Sequence, residues 1–225
     1  MKRETVQSIF RFLLNTLTHY EFIGEENIPR QGGVIVALNH MSQVDSVLMA
    51  SVPSRPDITA LVADKYRNYL FFRYVLDSIG IIWLDREKAD FSAFRLGAEA
   101  LKQGRALGIA PEGTRSPNYQ LLPGKPGALL LAARTGVPIV PVGISGTEDG
   151  IRRALLLKKP HFVARFGKPY IMPPLERDNR DEVLQKATDE VMCRIAALLP
   201  ESYWGYYANH PRLKELLAEQ NGKTS

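Results

Sequence analysis

Val34-Ile35-Val36-Ala37-Leu38-Asn39-His40-Met41-Ser42-Gln43-Val44-Asp45 joins an unbroken apolar run to a polar turn. A short apolar run of this kind reads as a strand. Beyond Asp45, the stretch from Ser46 to Val52 reads as a buried helix. His40 therefore stands where a strand ends and a helix begins, the edge at which open α/β sheets gather their ligands.

An imidazole at that edge can take a proton from a hydroxyl if a second group fixes its tautomer and stabilises the imidazolium. Asp45, one helical turn onward, is spaced to do so. The same residues fit a capping box, in which Ser42 caps the helix and Asp45 bonds back to the cap amide. Both readings of Asp45 stay open on this stretch alone.

Working outward, strand and helix patterns repeat. Ile58 to Ala63, Ile81 to Leu84, Ala106 to Ala110, Ile139 to Val142 and His161 to Phe166 read as strands. Between them, Phe91 to Gln103, Ala128 to Thr135, Arg152 to Lys159 and Arg180 to Leu199 read as helices. The alternation predicts an α/β fold, a single domain with a mostly parallel or mixed sheet flanked by helices. With 225 residues, the chain suits one such domain. The expected division is an N-terminal amphipathic helix over 1–24, the main domain over 25–200 and an aromatic, helical tail over 201–225.

A formal net charge of +5 and a pI near 9.3 favour anionic partners, whether nucleic acid, phosphorylated small molecules or an acidic membrane surface. The lone cysteine, Cys193, excludes an intramolecular disulfide and reads as a core residue of its helix. Near the N-terminus, Val6, Ile9, Phe10, Leu13, Leu14 and Leu17 recur at helical spacing, but polar residues interrupt them and no cleavage site follows. Secretion and a membrane span are disfavoured. Packing on the domain and binding at a membrane interface compete for this helix. The same two readings apply to the aromatic stretch Tyr66 to Leu76, where core packing is favoured, and to Tyr203-Trp204-Gly205-Tyr206-Tyr207.

The loop after the strand at 106–110 is Pro111-Glu112-Gly113-Thr114-Arg115-Ser116-Pro117. Gly113 lets backbone approach a ligand, Thr114 and Ser116 offer hydroxyls, and Arg115 can grip a phosphate through two parallel donors. The competing reading is a turn in which Glu112 and Arg115 pair with each other.

Four stretches in this order resemble the motifs of the glycerolipid acyltransferase family, which includes 1-acyl-sn-glycerol-3-phosphate acyltransferases. They are Asn39-His40-x4-Asp45, Gly80-Ile81-Ile82-Trp83-Leu84-Asp85-Arg86, Pro111-Glu112-Gly113-Thr114-Arg115-Ser116 and Val137-Pro138-Ile139-Val140-Pro141-Val142. Ala110 stands where an aromatic residue is common, and Met41 where a polar one is. The resemblance implies that His40 is a general base and Asp45 its orienting partner. It also implies that Arg86, Glu112, Gly113, Thr114 and Arg115 bind the acceptor, with the arginines on its phosphate.

The implied reaction moves a fatty acyl chain from acyl-CoA or acyl-carrier protein to a lysophospholipid hydroxyl, with 1-acyl-sn-glycerol-3-phosphate giving phosphatidic acid. The chain would work peripherally at the cytoplasmic face of a membrane, without a cofactor. Cys193 and the absence of a Gly-x-Ser-x-Gly elbow argue against a covalent acyl-enzyme. A zinc site at His40 and Asp45 lacks further ligands at suitable spacing. The remaining alternatives are another lysolipid acceptor, a non-catalytic lipid-binding scaffold, and a nucleic-acid binder. Only the charge suggests the last, and no basic patch with stacking aromatics accompanies it.

Overall fold

The stretch over 34–38 is the central strand of a seven-stranded sheet. The structure is a computed structural model and describes residues 1–85, 91–175 and 179–222. In chain order its elements begin α1 (Arg3–Leu17), β1 (His19–Ile23), β2 (Val34–Leu38), α2 (Val44–Ala50), β3 (Thr59–Ala63), α3 (Leu70–Ser78) and β4 (Ile82–Leu84). They continue α4 (Phe91–Lys102), β5 (Ala106–Ile109), α5 (Gly127–Thr135), β6 (Ile139–Ser145), α6 (Gly150–Leu155), β7 (His161–Phe166), α7 (Arg180–Ala196) and α8 (Pro211–Asn221).

The strand order is β1-β7-β6-β2-β5-β3-β4. From β6 across to β4 every pairing is parallel, while β7 runs antiparallel to β6 and carries β1 parallel to itself. All five residues of β2 are buried, because helices cover both faces of the sheet. Val34, Val36 and Leu38 share a core with Leu14 of α1, Leu48 of α2 and Val142 of β6. Ile35 and Ala37 point the other way, into a core built by α4, α5 and α7. Each of its valine, isoleucine and leucine side chains contributes about 1.5–3 kcal/mol through burial, so this strand anchors the register of its neighbours. Because β5 and β6 flank β2 in parallel, the loops after Ile109, Leu38 and Ser145 emerge side by side at one edge.

Three sequence expectations change, and the C-terminal aromatics take one of their two readings. His19–Ile23 forms an edge strand, where the periodicity gave no strand; its burial merely alternates, and its partner β7 lies far along the chain. The basic stretch after Gly150 is helical only to Leu155, because Leu157 and Lys159 take left-handed backbone angles of 55° and 41°. The aromatic helix is not core: Tyr69, Leu70 and Tyr74 are 61%, 80% and 54% exposed. One edge of α3 packs through Val75 and Leu76 against Val6 and Phe10 of α1, and among the described residues no further layer covers its outer side. The C-terminal aromatics mostly pack inward instead. Tyr207 is fully buried, Trp204 Nε1 donates to Ala196 O at 2.9 Å, and Tyr206 stays exposed.

The first helix packs on the domain along one face and leaves apolar residues exposed on the other. Val6, Gln7 and Leu14 are buried against the domain, and Gln7 Nε2 donates to Ala50 O and Pro56 O. Ile9, Phe12 and Leu13 face solvent. Among the described residues no helix is long and apolar enough to cross a membrane.

Candidate functional site

Three loops build the site at the carboxyl ends of β2, β5 and β6. Asn39, fully buried, starts it: its Nδ2 donates to Ile144 O at 2.8 Å and its Oδ1 accepts from Ile144 N at 2.7 Å. This bridge ties the end of β2 to the end of β6, and the next residue is His40. The backbone of His40 is held on both sides by the β5 loop. Its amide donates to Glu112 Oε1 at 3.0 Å, and its carbonyl accepts from Ser116 N at 2.9 Å.

The side chains of His40 and Asp45 meet. Nδ1 lies 3.0 Å from Asp45 Oδ2, which also accepts from Met41 N at 2.7 Å and Ser42 N at 2.8 Å. Asp45 Oδ1 accepts from the Thr147 hydroxyl at 2.7 Å. Four donors thus converge on a carboxylate with no solvent exposure, a set that suits an acceptor-only group. The proton of neutral His40 accordingly belongs on Nδ1, leaving the lone pair on Nε2. His40 keeps 20% of its side-chain exposure, which makes the ring reachable from outside.

Both sequence readings of Asp45 therefore describe one carboxylate. Its bond to Ser42 N is the back-bond of a capping box, and Ser42 Oγ accepts from Val44 N at 3.2 Å at the start of α2. The bond to Nδ1 is added to the cap and does not compete with it.

Glu112 is only 2% exposed and does not pair with Arg115. Its Oε1 holds the His40 amide and its Oε2 accepts from Leu122 N at 2.9 Å. Burial pushes its carboxyl up to about 7, against the opposing pull of those two amides, and the nearby Asp45 charge adds to the rise. Gly113 takes a left-handed φ of 71°, and the Lys125 side chain runs alongside it where a Cβ would stand. Lys125 N donates to Pro111 O at 2.8 Å, so the loop is closed by backbone as well.

Thr114 is exposed and Arg115 half-buried, with Arg115 Nη2 donating to the Tyr66 hydroxyl at 2.9 Å. Tyr66 sits in the turn that follows β3. Arg86 lies outside the described residues. The strand before it, β4, ends three strand positions from β2, roughly 14 Å across the sheet.

Thr147, Asn39 and Tyr66 join the site through partners distant in sequence, which a local reading does not reach. Thr147 lies 102 positions from Asp45 and Asn39 lies 105 from Ile144. The C-terminal segment also reaches the site. Tyr203 Oη accepts from Gly146 N at 3.0 Å, and burial together with Glu148 holds its phenol at about 12, so it remains neutral beside the Thr147 loop. Gly146 has a φ of 82° and no room for a Cβ against His161 O. Cys193 is buried, and desolvation with Asp189 and Glu190 nearby pushes its thiol up to about 12, far from a thiolate nucleophile.

A family model described as Acyltransferase matches residues 19–145, from β1 to the end of β6. The 1-acyl-sn-glycerol-3-phosphate acyltransferase of Saccharomyces cerevisiae is 32% identical over 177 residues, which is 76% of this chain and 57% of the yeast protein. The enzyme of that name in Bacillus subtilis is 28% identical over 176 residues, covering 77% of this chain and 85% of the relative. The crystal structure of the 1-acyl-sn-glycerophosphate (LPA) acyltransferase PlsC from Thermotoga maritima superposes with a TM-score of 0.64 at 23% identity. That match covers 84% of this chain and 79% of the other, and is a likeness of fold. The match over 19–145 takes in the His40–Asp45 pair, the Glu112 to Arg115 loop and the strands that carry them, and the chain belongs to the acyltransferase family.

Proposed function

We propose that the chain transfers a fatty acyl group from a thioester, carried by coenzyme A or acyl-carrier protein, to the free hydroxyl of a lysophospholipid. The acceptor that fits best is 1-acyl-sn-glycerol-3-phosphate, with phosphatidic acid as product. The observation that carries this reading is the His40 Nδ1 to Asp45 Oδ2 bond, with the other Asp45 oxygen taken by Thr147.

His40 Nε2 accepts the acceptor's hydroxyl proton as that oxygen attacks the thioester carbonyl. Asp45 stabilises the imidazolium, and collapse of the tetrahedral intermediate passes the proton from Nε2 to the departing thiolate. General-base action of this kind is worth about 10²–10⁴-fold. No acyl-enzyme forms. Gly113, Thr114 and Arg115, together with Arg86, contact the acceptor, the arginines matching its phosphate with charge-assisted donors. Glu112 works one step back, through the His40 amide it accepts. The chain acts at the cytoplasmic face of a membrane as a peripheral protein, because its acceptor resides there.

The test is thiol release from a long-chain acyl-coenzyme A, with and without lysophosphatidic acid. Acceptor-dependent release that His40→Ala abolishes supports the reaction. A His40→Ala protein with undiminished release would refute it, and no release from any thioester donor would leave the scaffold reading in its place.

A further inference from the structure

Through α6 and toward β7 the chain runs Ile151-Arg152-Arg153-Ala154-Leu155-Leu156-Leu157-Lys158-Lys159. Leu155, Leu156 and Leu157 are 74%, 57% and 75% exposed, and Ile151 is 48% exposed. The segment is not loose: Leu157 N donates to Ala154 O at 2.9 Å and Lys158 N to Arg153 O at 3.0 Å. The left-handed angles at Leu157 and Lys159 turn the backbone so that three consecutive leucines project outward. Four cations surround them, all exposed, and none has an ion-pair partner among the described residues. From Gly150 to Lys159 there is no carboxylate, Asp149 lying just before the helix.

The topology fixes where this tip stands. Since β7 runs antiparallel to β6, it starts at the edge where β6 and β2 end, the edge that holds Thr147 and His40. His19 N donates to Pro160 O at 3.0 Å, which joins the tip to the end of α1. In the C-terminal half of α1, Phe12 and Leu13 are 67% and 44% exposed. Apolar side chains from both segments thus flank the site edge.

We propose that the Ile151 to Lys159 tip, continued by Phe12 and Leu13, docks this edge onto an anionic phospholipid bilayer. The leucines enter the boundary between headgroups and acyl chains, and Arg152, Arg153, Lys158 and Lys159 lie against lipid phosphates. The inference rests on the lysophospholipid reading above, and adds how a membrane-resident acceptor is brought to His40. A second copy of the chain fits the tip poorly, because a two-fold contact would bring the four cations of each copy together. An anionic leaflet complements them.

The full chain is tested by co-sedimentation with mixed phosphatidylcholine–phosphatidylglycerol vesicles and with pure phosphatidylcholine vesicles. A Leu155→Ser, Leu156→Ser, Leu157→Ser variant is expected to lose binding to the mixed vesicles by about tenfold or more. A variant with Arg152, Arg153, Lys158 and Lys159 all changed to Ala should lose about fivefold per cation on mixed vesicles, and little on the neutral ones. Both should keep thiol release with monomeric, short-chain lysophosphatidic acid, which reports folding and chemistry apart from docking. As a direct probe, Leu156→Cys labelled with an environment-sensitive fluorophore should shift to the blue when mixed vesicles are added. Vesicle binding unchanged in both variants would overturn the docking surface while leaving the proposed reaction standing. An unaltered chain that ignores the vesicles overturns it too, as does one that dimerises through the leucines.

Discussion

The Thr147 hydroxyl donates to Asp45 Oδ1 at 2.7 Å, across 102 positions of sequence and with no solvent exposure at either residue. It holds the carboxylate oxygen that His40 does not, and so fixes the plane in which Asp45 faces the imidazole. Thr147→Val keeps the shape and removes the donor, leaving a buried oxygen unsatisfied at a cost of about 1–3 kcal/mol. The expected result is a fall of roughly tenfold or more in kcat with little change in the acceptor KM. Thr147→Ser should restore most of it. Steady-state kinetics on the three proteins decide the matter, and a change confined to KM would count against the positioning role.

Glu112 makes stability depend on pH with an unusual sign for a carboxylate. Its folded-state value is raised from 4.5 to about 7, so the folded chain binds this proton more tightly than the unfolded one. Its contribution is therefore full below about pH 4.5 and is lost as pH rises through about 7, a change on the order of 3 kcal/mol. Glu112→Gln removes the titration and turns one amide nitrogen toward His40 N or Leu122 N. Thermal melts of both proteins across pH 5 to 8 should show the variant well below the parent in acid, with the gap narrowing toward alkaline pH. A constant gap would show that the proton is not taken up in this window.

How much of this could be read beforehand depends on where each partner lies. The strand Val34–Leu38 is legible because both its faces are buried, so hydrophobicity alone marks it. His40 and Asp45 are legible because they are close in sequence and lie on one turn. Glu112 shows the boundary of such reading: its place in the loop is visible, but not that both oxygens go to backbone amides, because Leu122 and His40 become its neighbours only on folding. β1 escapes for a related reason, since an edge strand with one covered face has little apolar signal, and its pairing with β7 supplies what its composition lacks. The aromatic content of α3 and of the C-terminal segment is alike in sequence. Only the presence of a covering layer decides that Tyr207 is buried while Tyr74 is exposed.

Arg115 is held by the Tyr66 hydroxyl from the β3 side, which leaves other guanidinium donors for a phosphate. Arg115→Ala is expected to raise the KM for lysophosphatidic acid by about 10–100-fold, the worth of a charge-assisted bond, with a smaller effect on kcat. Arg115→Lys should recover only part of this, since an ammonium lacks the paired donors. Tyr66→Phe should produce a milder rise by letting the guanidinium swing. An Arg115→Ala effect equal for charged and uncharged acceptors would argue against a phosphate contact.

Asn39 links β2 to β6, two of the three strands that carry the site, and the cost of removing it separates a structural bridge from a catalytic group. Its amide satisfies both the N–H and the C=O of Ile144 at full burial. Asn39→Leu would leave both unpaired beside an apolar side chain that excludes water, with an expected loss of about 2–5 kcal/mol in urea or thermal unfolding. Asn39→Ala leaves room for a water to take up the two bonds and should lose less. Activity per folded molecule should fall in both, because His40 follows directly and the Ile144 end of β6 leads to Thr147. The informative comparison is Asn39→Asp, which keeps an acceptor for Ile144 N but sets a carboxylate oxygen against Ile144 O. If Asn39→Asp were as stable as the parent at neutral pH, the two-bond bridge would not be what fixes the distance between β2 and β6.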